Sequence, residues 1–263
     1  EGEATTISVS NLLANDNEPT GDTLTLTAVN MVDSAQGTVE LVEDEVVFTP
    51  ADGFTGAAAF EYTVTDTDGE VDTGQVSLTV VTVIEGTSDD DVLTASDTGD
   101  VADGATQNEF IYGLEGDDTL TAGSGYDRLI GGAGDDTLTG GPNDATWIWG
   151  PDGEIIAEHT VVDYSDSPDG ISVTLAGGPG STDSTVADGY GGTDTLINVE
   201  AIIGSEFADT YVVADTYEDQ RGYDWSQFQG LGGDDVITGS GRTRVSYTEA
   251  DAGVTVDLDL GTG

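Results

Sequence analysis

The chain lacks cysteine and lysine altogether, and its 263 residues include a single histidine. Without cysteine it forms neither disulfide bonds nor thiolate metal sites. The one histidine, His159, has no serine or cysteine nucleophile motif beside it, and it excludes a multi-histidine zinc site. Without lysine, the glycine-rich stretches are not phosphate-binding loops of the Gly-Lys-Ser/Thr kind. We therefore expect no enzyme activity within this chain.

Basic residues are almost absent, since four arginines stand against 53 acidic residues, giving a formal net charge of −49. With no basic patch to meet phosphate, we expect neither a nucleic acid partner nor binding to an anionic membrane surface. No apolar run is long enough for insertion into a membrane. Self-repulsion at this charge destabilises a compact state, so we expect a hard divalent cation to neutralise part of it. Adaptation to salt is a second explanation, compatible with the first.

Residues 86–139 repeat with a period of nine. In one frame they read GTSDDDVLT, ASDTGDVAD, GATQNEFIY, GLEGDDTLT, AGSGYDRLI and GGAGDDTLT. The sixth place is always acidic: Asp91, Asp100, Glu109, Asp118, Asp127 and Asp136. The eighth place is always apolar: Leu93, Ala102, Ile111, Leu120, Leu129 and Leu138. A recurring acid followed by a recurring inward apolar residue predicts turns that bind a cation and strands that build a core.

These blocks resemble the nonapeptide G-G-x-G-x-D-x-U-x of the RTX (hemolysin-type calcium-binding repeat) proteins, which forms a parallel β-roll. Gly131–Thr139 matches every fixed position, and Gly113–Thr121 departs only at Leu114. The resemblance implies several bound calcium ions. Two nonapeptides make one coil of such a roll, so alternate blocks are expected on the same edge. One edge would hold Asp100, Asp118 and Asp136, and the other Asp91, Glu109 and Asp127.

The best calcium site is expected between the turns Gly113–Asp118 and Gly131–Asp136, where backbone carbonyls and carboxylates can face one ion. The residues assigned to it are Gly113, Glu115, Asp118, Gly131, Ala133 and Asp136. A second site is expected at Gly123, Gly125 and Asp127. The other sixth-place candidates are Asp91, Asp100, Asp209 in the weaker block Gly204–Val212, and Asp235 in the block Gly230–Thr238.

Residues 1–84 alternate apolar and polar side chains in short segments separated by turn-forming residues, which predicts an antiparallel β-sandwich. The predicted strands cover residues 6–9, 24–29, 37–41, 46–48, 59–64 and 76–80. The phrases VSNLLANDNEPTGDTLTLTAV and GTVELVEDEVVFTPADGFTGAAAFEYTVTDTDG resemble the cadherin-like tandem repeats of bacterial surface proteins. That resemblance implies a spacer stiffened by calcium. The candidate ligands near strand ends are Glu3, Asp16, Glu18, Asp22 and Asp66, for which solvated loop acids are an equal explanation.

Residues 150–263 hold a longer repeat, because TVVDYSDSPDGISVTL (160–175) aligns with TRVSYTEADAGVTVDL (243–258) at an offset of 83 residues. The segment between them resembles the degenerate repeats interleaved with RTX blocks in giant adhesins, which predicts one continued right-handed β-solenoid without long helices. Two insertions, 142–158 and 216–229, carry aromatic residues that are candidates for binding a sugar or a peptide. These residues are Trp149, Tyr217, Tyr223 and Trp225. The alternative is that the insertions brace one side of the solenoid.

The expected fold is all-β: a cadherin/Ig-like antiparallel β-sandwich (1–84), a calcium-binding parallel β-roll (85–149), and a β-solenoid continuation with insertions (150–263). The resemblances imply a fragment of a large secreted RTX adhesin or surface protein of a bacterium, folding on calcium outside the cell. Its partners would be calcium and a carbohydrate or peptide on a host or neighbouring cell. A self-assembling surface-layer or filament subunit, and a non-catalytic module of a secreted enzyme or toxin, are the alternatives.

Overall fold

The structure, a computed structural model, describes residues 3–19, 21–95, 109–123, 127–141, 148–149, 155–156, 160–219, 222, 225–239 and 241–247. The chain divides into two compact units, residues 1–82 and residues 83–263. The division expected at residue 149 falls inside the second unit, whose sheets continue across it. The fold is all-β, as predicted.

Two three-stranded antiparallel sheets form the first unit, with strand orders β1-β4-β3 and β2-β5-β6. The elements are β1 (Thr5–Ser8), α1 (Val9–Leu12), β2 (Thr25–Met31), β3 (Gly37–Val42), β4 (Glu45–Pro50), β5 (Gly56–Thr65) and β6 (Val71–Val80). Each strand overlaps a predicted one. The four-residue helix was not predicted; the Asn11 backbone N–H donates to the Ser8 hydroxyl oxygen at its start, over 3.3 Å.

Alternate side chains of the two sheets build the core of the first unit, as the period of two requires. Val46 of β4 and Phe60 of β5 are fully buried, and Leu12 of the helix closes one side. Among the described residues of the whole chain, no helix has the length and apolar character that crossing a membrane requires.

The short strands of the second unit form two facing sheets and one small separate pair. They are β7 (Thr82–Glu85), β8 (Val92–Thr94), β9 (Glu109–Glu115), β10 (Thr119–Thr121), β11 (Arg128–Ala133), β12 (Thr137–Thr139), β13 (Ile148–Trp149), β14 (Ile155–Ile156), β15 (Val161–Asp163), β16 (Ser172–Leu175), β17 (Ser184–Ala187), β18 (Thr193–Ile197), β19 (Ala201–Ile203), β20 (Thr210–Val213), β21 (Trp225–Gln229), β22 (Val236–Thr238) and β23 (Arg242–Ser246). One sheet has the order β23-β21-β19-β15-β11-β9-β7, and the other β22-β20-β16-β17-β18-β12-β10-β8. The small pair β13-β14 stands apart from both.

Eighth-place residues of the nonapeptides form the core between these sheets. In the eight-stranded sheet, Leu120, Leu138 and Leu196 stand directly beside one another and are at most 1% exposed. The corresponding row of the seven-stranded sheet is Ile111, Leu129, Val162, Ile202 and Phe228. Neighbouring coils thus stack like on like, and the predicted inward position of the eighth place is confirmed.

Glycine allows adjacent coils to approach closely. Gly134 has a φ of +148°, and a Cβ built on it would lie 1.9 Å from the carbonyl oxygen of Gly116 in the coil before. On Gly132, a Cβ would lie 2.0 Å from the Leu114 carbonyl oxygen. No real Cβ atom tolerates such contacts with backbone, so these two places require glycine.

The stack departs from a uniform solenoid in two ways. Strand β17 runs antiparallel to both of its neighbours, β16 and β18, so a hairpin is inserted between parallel strands. The coil that begins at Asp91 is also longer than the next one: Asp91 meets Asp118, 27 residues on, whereas Asp118 meets Asp136, 18 residues on. Neither departure follows from the nine-residue period.

Candidate metal centre

Sixth-place aspartates stack along one edge of the solenoid. The backbone N–H of Asp91 donates to Oδ1 of Asp118 (2.7 Å), that of Asp118 to Oδ1 of Asp136 (2.8 Å), and that of Asp136 to Oδ1 of Asp194 (3.0 Å). Each carboxylate therefore caps the turn of the coil before it.

The hydrogen bonds of the sixth-place aspartates form one ladder, and those of the fifth-place aspartates form a second ladder beside it. In the second ladder the carboxylate lies on the earlier coil and the N–H donor on the later one. The Asp117 N–H donates to Asp90, the Asp135 N–H to Asp117, and the Thr193 N–H to Asp135, over 2.7–3.0 Å. Here each carboxylate caps the turn of the coil after it. The junctions Asp91/Asp118, Asp118/Asp136 and Asp136/Asp194 are thus each joined by two side-chain hydrogen bonds.

The prediction that Asp91 lies on the edge opposite Asp118 is wrong. The two residues share an edge because the first coil is one nonapeptide longer than the sequence frame assumed, so the alternation slips by one block. Asp100, which was expected beside Asp118, lies outside the described residues.

Along this row of sixth-place aspartates, two of the described turns leave a carboxylate oxygen buried without a hydrogen-bond partner. Oδ2 of Asp118 and Oδ2 of Asp136 have no hydrogen bond within the described part of the chain, and both residues are 1% exposed. A Cβ built on Gly113 would lie 2.3 Å from the Asp118 Oδ2 and 2.5 Å from the Gly131 carbonyl oxygen. A carboxylate oxygen and a carbonyl of the next coil therefore face the same small space, which only glycine leaves open.

Two other turns close around their own carboxylate. Oδ2 of Asp91 accepts the backbone N–H and the hydroxyl of Thr87, over 2.7 and 2.9 Å. Oδ2 of Asp209 accepts the Ser205 N–H over 2.9 Å, and the Ser205 hydroxyl donates to Oδ1 over 2.6 Å. The second residue of each turn thus supplies the partner that a cation would otherwise provide. The carboxylates of Asp91 and Asp209, both predicted calcium ligands, therefore already have hydrogen-bond partners within the protein.

Backbone conformation distinguishes the open turns from the closed ones. In each open turn the second and fourth places have positive φ. The pairs are Leu114 and Gly116 (+84° and +114°), Gly132 and Gly134 (+102° and +148°), and Leu231 and Gly233 (+57° and +88°). Thr87 and Ser205, at the second place of the closed turns, are not among the positive-φ residues. The turn Gly230–Asp235 thus belongs with the open class.

Burial and mutual repulsion disfavour the ionised form of the aspartates along this edge. Desolvation, followed by the charges of Asp118, Asp188 and Asp117, raises the pKa of Asp136 from 3.8 to about 6. Desolvation, aided by Asp136 and Asp188, raises the pKa of Asp194 to about 7. The pKa values of Asp118, Asp209 and Asp235 are raised in the same direction, chiefly by burial. The folded edge therefore favours a neutralised form of these carboxyls.

Comparison with protein families agrees with this division of the turns. Residues 1–79 match the family model described as a bacterial Ig domain. Residues 112–144 and 226–241 match that of the RTX calcium-binding nonapeptide repeat, in four copies. The chain carries a bacterial Ig domain followed by RTX repeats. A search among curated proteins gives no significant match. The RTX matches contain all three open turns and neither closed turn.

Calcium fits the open RTX turns. It takes six to eight oxygen ligands, from carboxylates and backbone carbonyls among others, at about 2.3–2.6 Å. The buried, partnerless oxygens of Asp118 and Asp136 and the adjoining Gly131 carbonyl offer this donor chemistry. Asp118, Asp136 and Gly131 would thus hold an ion between the two turns, and Asp235 would contribute in the third.

The remaining predicted RTX ligands are Glu115, Ala133, Gly123, Gly125 and Asp127. Glu115 is exposed and stands beside Ala133, whose carbonyl oxygen accepts the Gly116 N–H over 3.0 Å. Asp127 is fully buried, and its Oδ1 accepts the Glu109 N–H over 3.1 Å on the opposite edge of the solenoid. Gly123 is buried, and the Gly141 backbone packs on its carbonyl; Gly125 lies outside the described residues. The calcium site on that edge stays a prediction.

Sequence reasoning missed Asp194. It lies in GYGGTDTLI, residues 189–197, which has glycine at the first and fourth places, aspartate at the sixth and leucine at the eighth. Strand β18 of this block pairs with β12, 58 residues earlier, so the block continues the RTX edge after a long interruption. Tyrosine and threonine at other places concealed it, but the sixth-place acid and the eighth-place leucine would have identified it.

In the bacterial Ig domain four of the five predicted acids fall into two groups, and the fifth, Glu3, is exposed. Carboxylate oxygens of Glu18, Asp22 and Asp66 lie within 4.8 Å of one another and are half-buried. Asp16 is separate, and both of its carboxylate oxygens lie 3.0 Å from the Tyr62 hydroxyl, which donates to them. Calcium binding at the first group stays a prediction, because clustered surface acids also occur without an ion.

In the insertion at residues 216–229, Tyr217 is not accessible to a ligand, contrary to the prediction. Tyr217 is 6% exposed, packs in the solenoid core, and donates its hydroxyl to the Val199 carbonyl over 3.2 Å. Its role is bracing, the alternative stated above. Trp225 is half-buried in β21, opposite Arg242. Tyr223 and the side chain of Trp149 lie outside the described residues, so ligand binding at these positions stays a prediction.

Proposed function

We propose that this chain is a calcium-dependent structural and adhesive segment of a bacterial surface or secreted protein, whose solenoid becomes stable when calcium binds its open turns. The observation that carries the proposal is the pair of buried carboxylate oxygens without partners at Asp118 and Asp136. A buried, unsatisfied anionic oxygen costs several kcal/mol, and a cation shared between turns removes that cost.

The binding free energy of the ion then becomes folding free energy. Calcium would supply a double positive charge among stacked carboxylates, while Asp118 and Asp136 would hold it and the Gly113 and Gly131 backbones would keep the space open. A cytoplasm poor in calcium would keep the repeats unfolded, and a calcium-rich exterior would fold them. The Ig domain and RTX repeats together support an extracellular location for such a switch.

The first test is a calcium titration of the full chain, after treatment with chelator, followed by circular dichroism and thermal unfolding, with magnesium as the control. Calcium should raise β content and the unfolding temperature. Magnesium should do so weakly, because it demands a smaller octahedral site. A chain fully folded in chelator, with an unfolding temperature unmoved by calcium, would contradict the proposal and favour salt adaptation.

Matched variants assign the effect to the open turns. Asp118→Asn and Asp136→Asn should each reduce the stabilisation by calcium, by up to about 3 kcal/mol at calcium a hundredfold above Kd. Asp91→Asn is the control, since it changes the same place in a closed turn. It should leave the calcium-dependent increment unchanged even if it lowers the baseline stability. Equal loss of the increment in all three variants would contradict the assignment.

The adhesive role needs its own experiment. Fluorescently labelled full chain should bind glycans or bacterial cells in calcium and lose that binding in chelator. Light scattering on calcium addition would show whether the chain assembles with itself instead. Scattering that rises with calcium, without binding to glycans or cells, would favour the self-assembling alternative over adhesion.

A further inference from the structure

A row of threonines crosses the eight-stranded sheet of the second unit. Five of them stand directly beside one another in successive strands, and a sixth follows beyond Val212. In strand order the row contains Thr119, Thr137, Thr195, Thr185, Thr174 and Thr238. A shorter row beside it contains Thr94, Thr121 and Thr139. We call these two rows the threonine face.

The side chains of the threonine face point away from the core. Thr119 and Thr121 flank Leu120, which is fully buried, and the neighbouring strands repeat this alternation. None of the threonines of the two rows is buried. Within the described part of the chain their hydroxyls form no hydrogen bond, whereas those of Thr87 and Thr160 bond to the turns around them. The threonine face therefore presents unused donors and acceptors to solvent.

The outward face of this sheet also lacks charge. From Val92 in β8 to Thr238 in β22, no described strand residue that points outward is charged or aromatic. The whole chain has 53 acidic residues, so composition does not account for a neutral face of this length. The outward positions of the seven-stranded sheet differ, since they include Phe110, Arg128 and Trp225. The neutrality belongs to one sheet only.

The longer row continues through sequence outside the RTX repeats. Thr174 and Thr185 lie in β16 and β17, which the RTX family model does not match. Strand β17 runs antiparallel to both neighbours, yet it places Thr185 in register between Thr195 and Thr174. The nonapeptide consensus therefore does not explain the row.

The backbone gives the longer row a regular spacing. Neighbouring strands lie about 4.7–4.9 Å apart, so positions across the eight strands repeat at this interval over about 34 Å. Threonine is β-branched and stiff at χ1, so its hydroxyl and methyl groups are ordered before anything binds. The oxygen positions of ice repeat at a spacing close to that between β-strands. A row of fixed hydroxyls at this interval holds water in an arrangement similar to that of the crystal.

Other occupants fit the threonine face less well. A partner that binds through charge finds none to meet. A sugar surface stacks on aromatic rings, which this face lacks. A second copy of the chain would bury roughly 340 Å² per partner, from about 34 Å by about 10 Å for strands of three residues. A stable protein interface needs about 800 Å² per partner.

We propose that the threonine face binds ice, with its hydroxyls hydrogen-bonded to water molecules of the crystal and its methyl groups packed in the gaps between them. Ice would be a surface to which the adhesive segment attaches. The inference goes beyond the calcium-dependent function proposed above, and it rests on that function only for the folded solenoid.

The test uses the full chain in saturating calcium. Osmometry measures the gap between the melting and freezing temperatures, and slow freezing of a seeded solution measures the fraction of labelled chain taken into ice. The unaltered chain should open the gap and enter the ice. Thr137→Tyr, which puts a ring in the middle of the longer row and keeps a strand-forming residue, should lose most of both effects. Thr79→Tyr, at an exposed position of β6 in the Ig domain, should keep both.

The outcomes separate this proposal from the calcium proposal. A chain that folds in calcium but neither opens the gap nor enters ice would overturn ice binding and leave the calcium switch standing. Ice binding that is equal in calcium and in chelator, with the same unfolding temperature, would do the reverse.

Two further results bear on the threonine face itself. Equal losses in Thr137→Tyr and Thr79→Tyr would overturn the assignment, as would binding to crystalline cellulose or chitin without binding to ice. Should Thr137→Tyr fail to fold, Thr137→Val replaces it, because valine keeps the shape of the side chain and removes the hydroxyl. That variant should weaken both effects, and full activity in it would contradict the role of the hydroxyl row.

Discussion

Gly134 and Gly180 both have a positive φ but differ in their surroundings. Both have positive φ, +148° and +75°, so either one pays a conformational penalty when it acquires a side chain. A Cβ on Gly180 meets nothing within 4 Å, whereas a Cβ on Gly134 meets the Gly116 carbonyl at 1.9 Å. Of these two glycines, only Gly134 would bring a side chain against the neighbouring coil.

Substitution by alanine at the two positions should give unequal losses of stability. Gly180→Ala should lower the free energy of unfolding by about 1 kcal/mol, from backbone strain alone. Gly134→Ala should lose several kcal/mol, because the two coils must separate or tilt. Chemical denaturation in saturating calcium measures both values, and similar losses in the two variants would show that the stack is looser than the structure indicates.

At the scale of elements, one arginine joins three consecutive coils of the seven-stranded sheet. Arg128 of β11 forms an ion pair with Asp163 of β15, and its guanidinium lies 5.6 Å from the ring centre of Phe110 in β9. Asp163 is buried, so removal of the arginine would leave a buried carboxylate without its counterion, which costs more than breaking an exposed pair. The sequence offers few cations for such a task, which makes this one conspicuous.

Replacement of Arg128 by glutamine should destabilise the solenoid by about 1–3 kcal/mol, because Asp163 would keep its burial and lose its counterion. Asp163→Asn should lose less, and the double variant should lose less than the sum of the single variants. Thermal unfolding of the four proteins provides the double-mutant cycle. Additive losses would show that the pair contributes no coupling energy.

Sequence predicted the repeating part of these elements and not their interruptions. The place of Leu138 in the core follows from periodicity, since the same chemistry recurs at every ninth residue. Periodicity does not predict the antiparallel strand β17, because its sequence, STVA, contains no signal for the strand with which it pairs. Asp91 shares the edge of Asp118 because 27 residues separate them, and the degenerate blocks ASDTGDVAD and GATQNEFIY between them kept the sixth-place acid on which the frame was counted. The closed turns depend on one hydroxyl or N–H, at Thr87 and Ser205, which the consensus leaves unspecified.

At the scale of the whole molecule, the acidic charge makes the stability of the metal-free chain depend on pH. The folded-state pKa values of Asp136 and Asp194, about 6 and about 7, lie above the ordinary value of 3.8. A raised pKa means that the fold prefers the protonated carboxyl. The stabilisation is therefore complete below about pH 4 and is lost as the pH rises through 6 and 7.

The chain in chelator should thus gain stability when the pH falls from 8 to 5, by about 1.4 kcal/mol for Asp136 alone, because the rest of the gain comes only below pH 5. In saturating calcium the direction should reverse, because protons compete with the ion for the same oxygens. Unfolding temperatures across this range, with and without calcium, measure both slopes. Asp194→Asn should flatten the metal-free slope, and Asp183→Asn should not; parallel slopes in both metal conditions would contradict the assignment.

The opposed ladders at the fifth and sixth places give the solenoid a mechanical property. One ladder caps each turn from the coil after it and the other from the coil before it, so neither end of the stack is the natural place to begin peeling. Under tension, each coil of the 18-residue kind must give up a bond of each ladder before it detaches, and it then releases roughly 60 Å of chain. The other coils of this edge, which span 27 and 58 residues, would release longer lengths of chain, so extension would proceed in unequal steps set by the coil lengths.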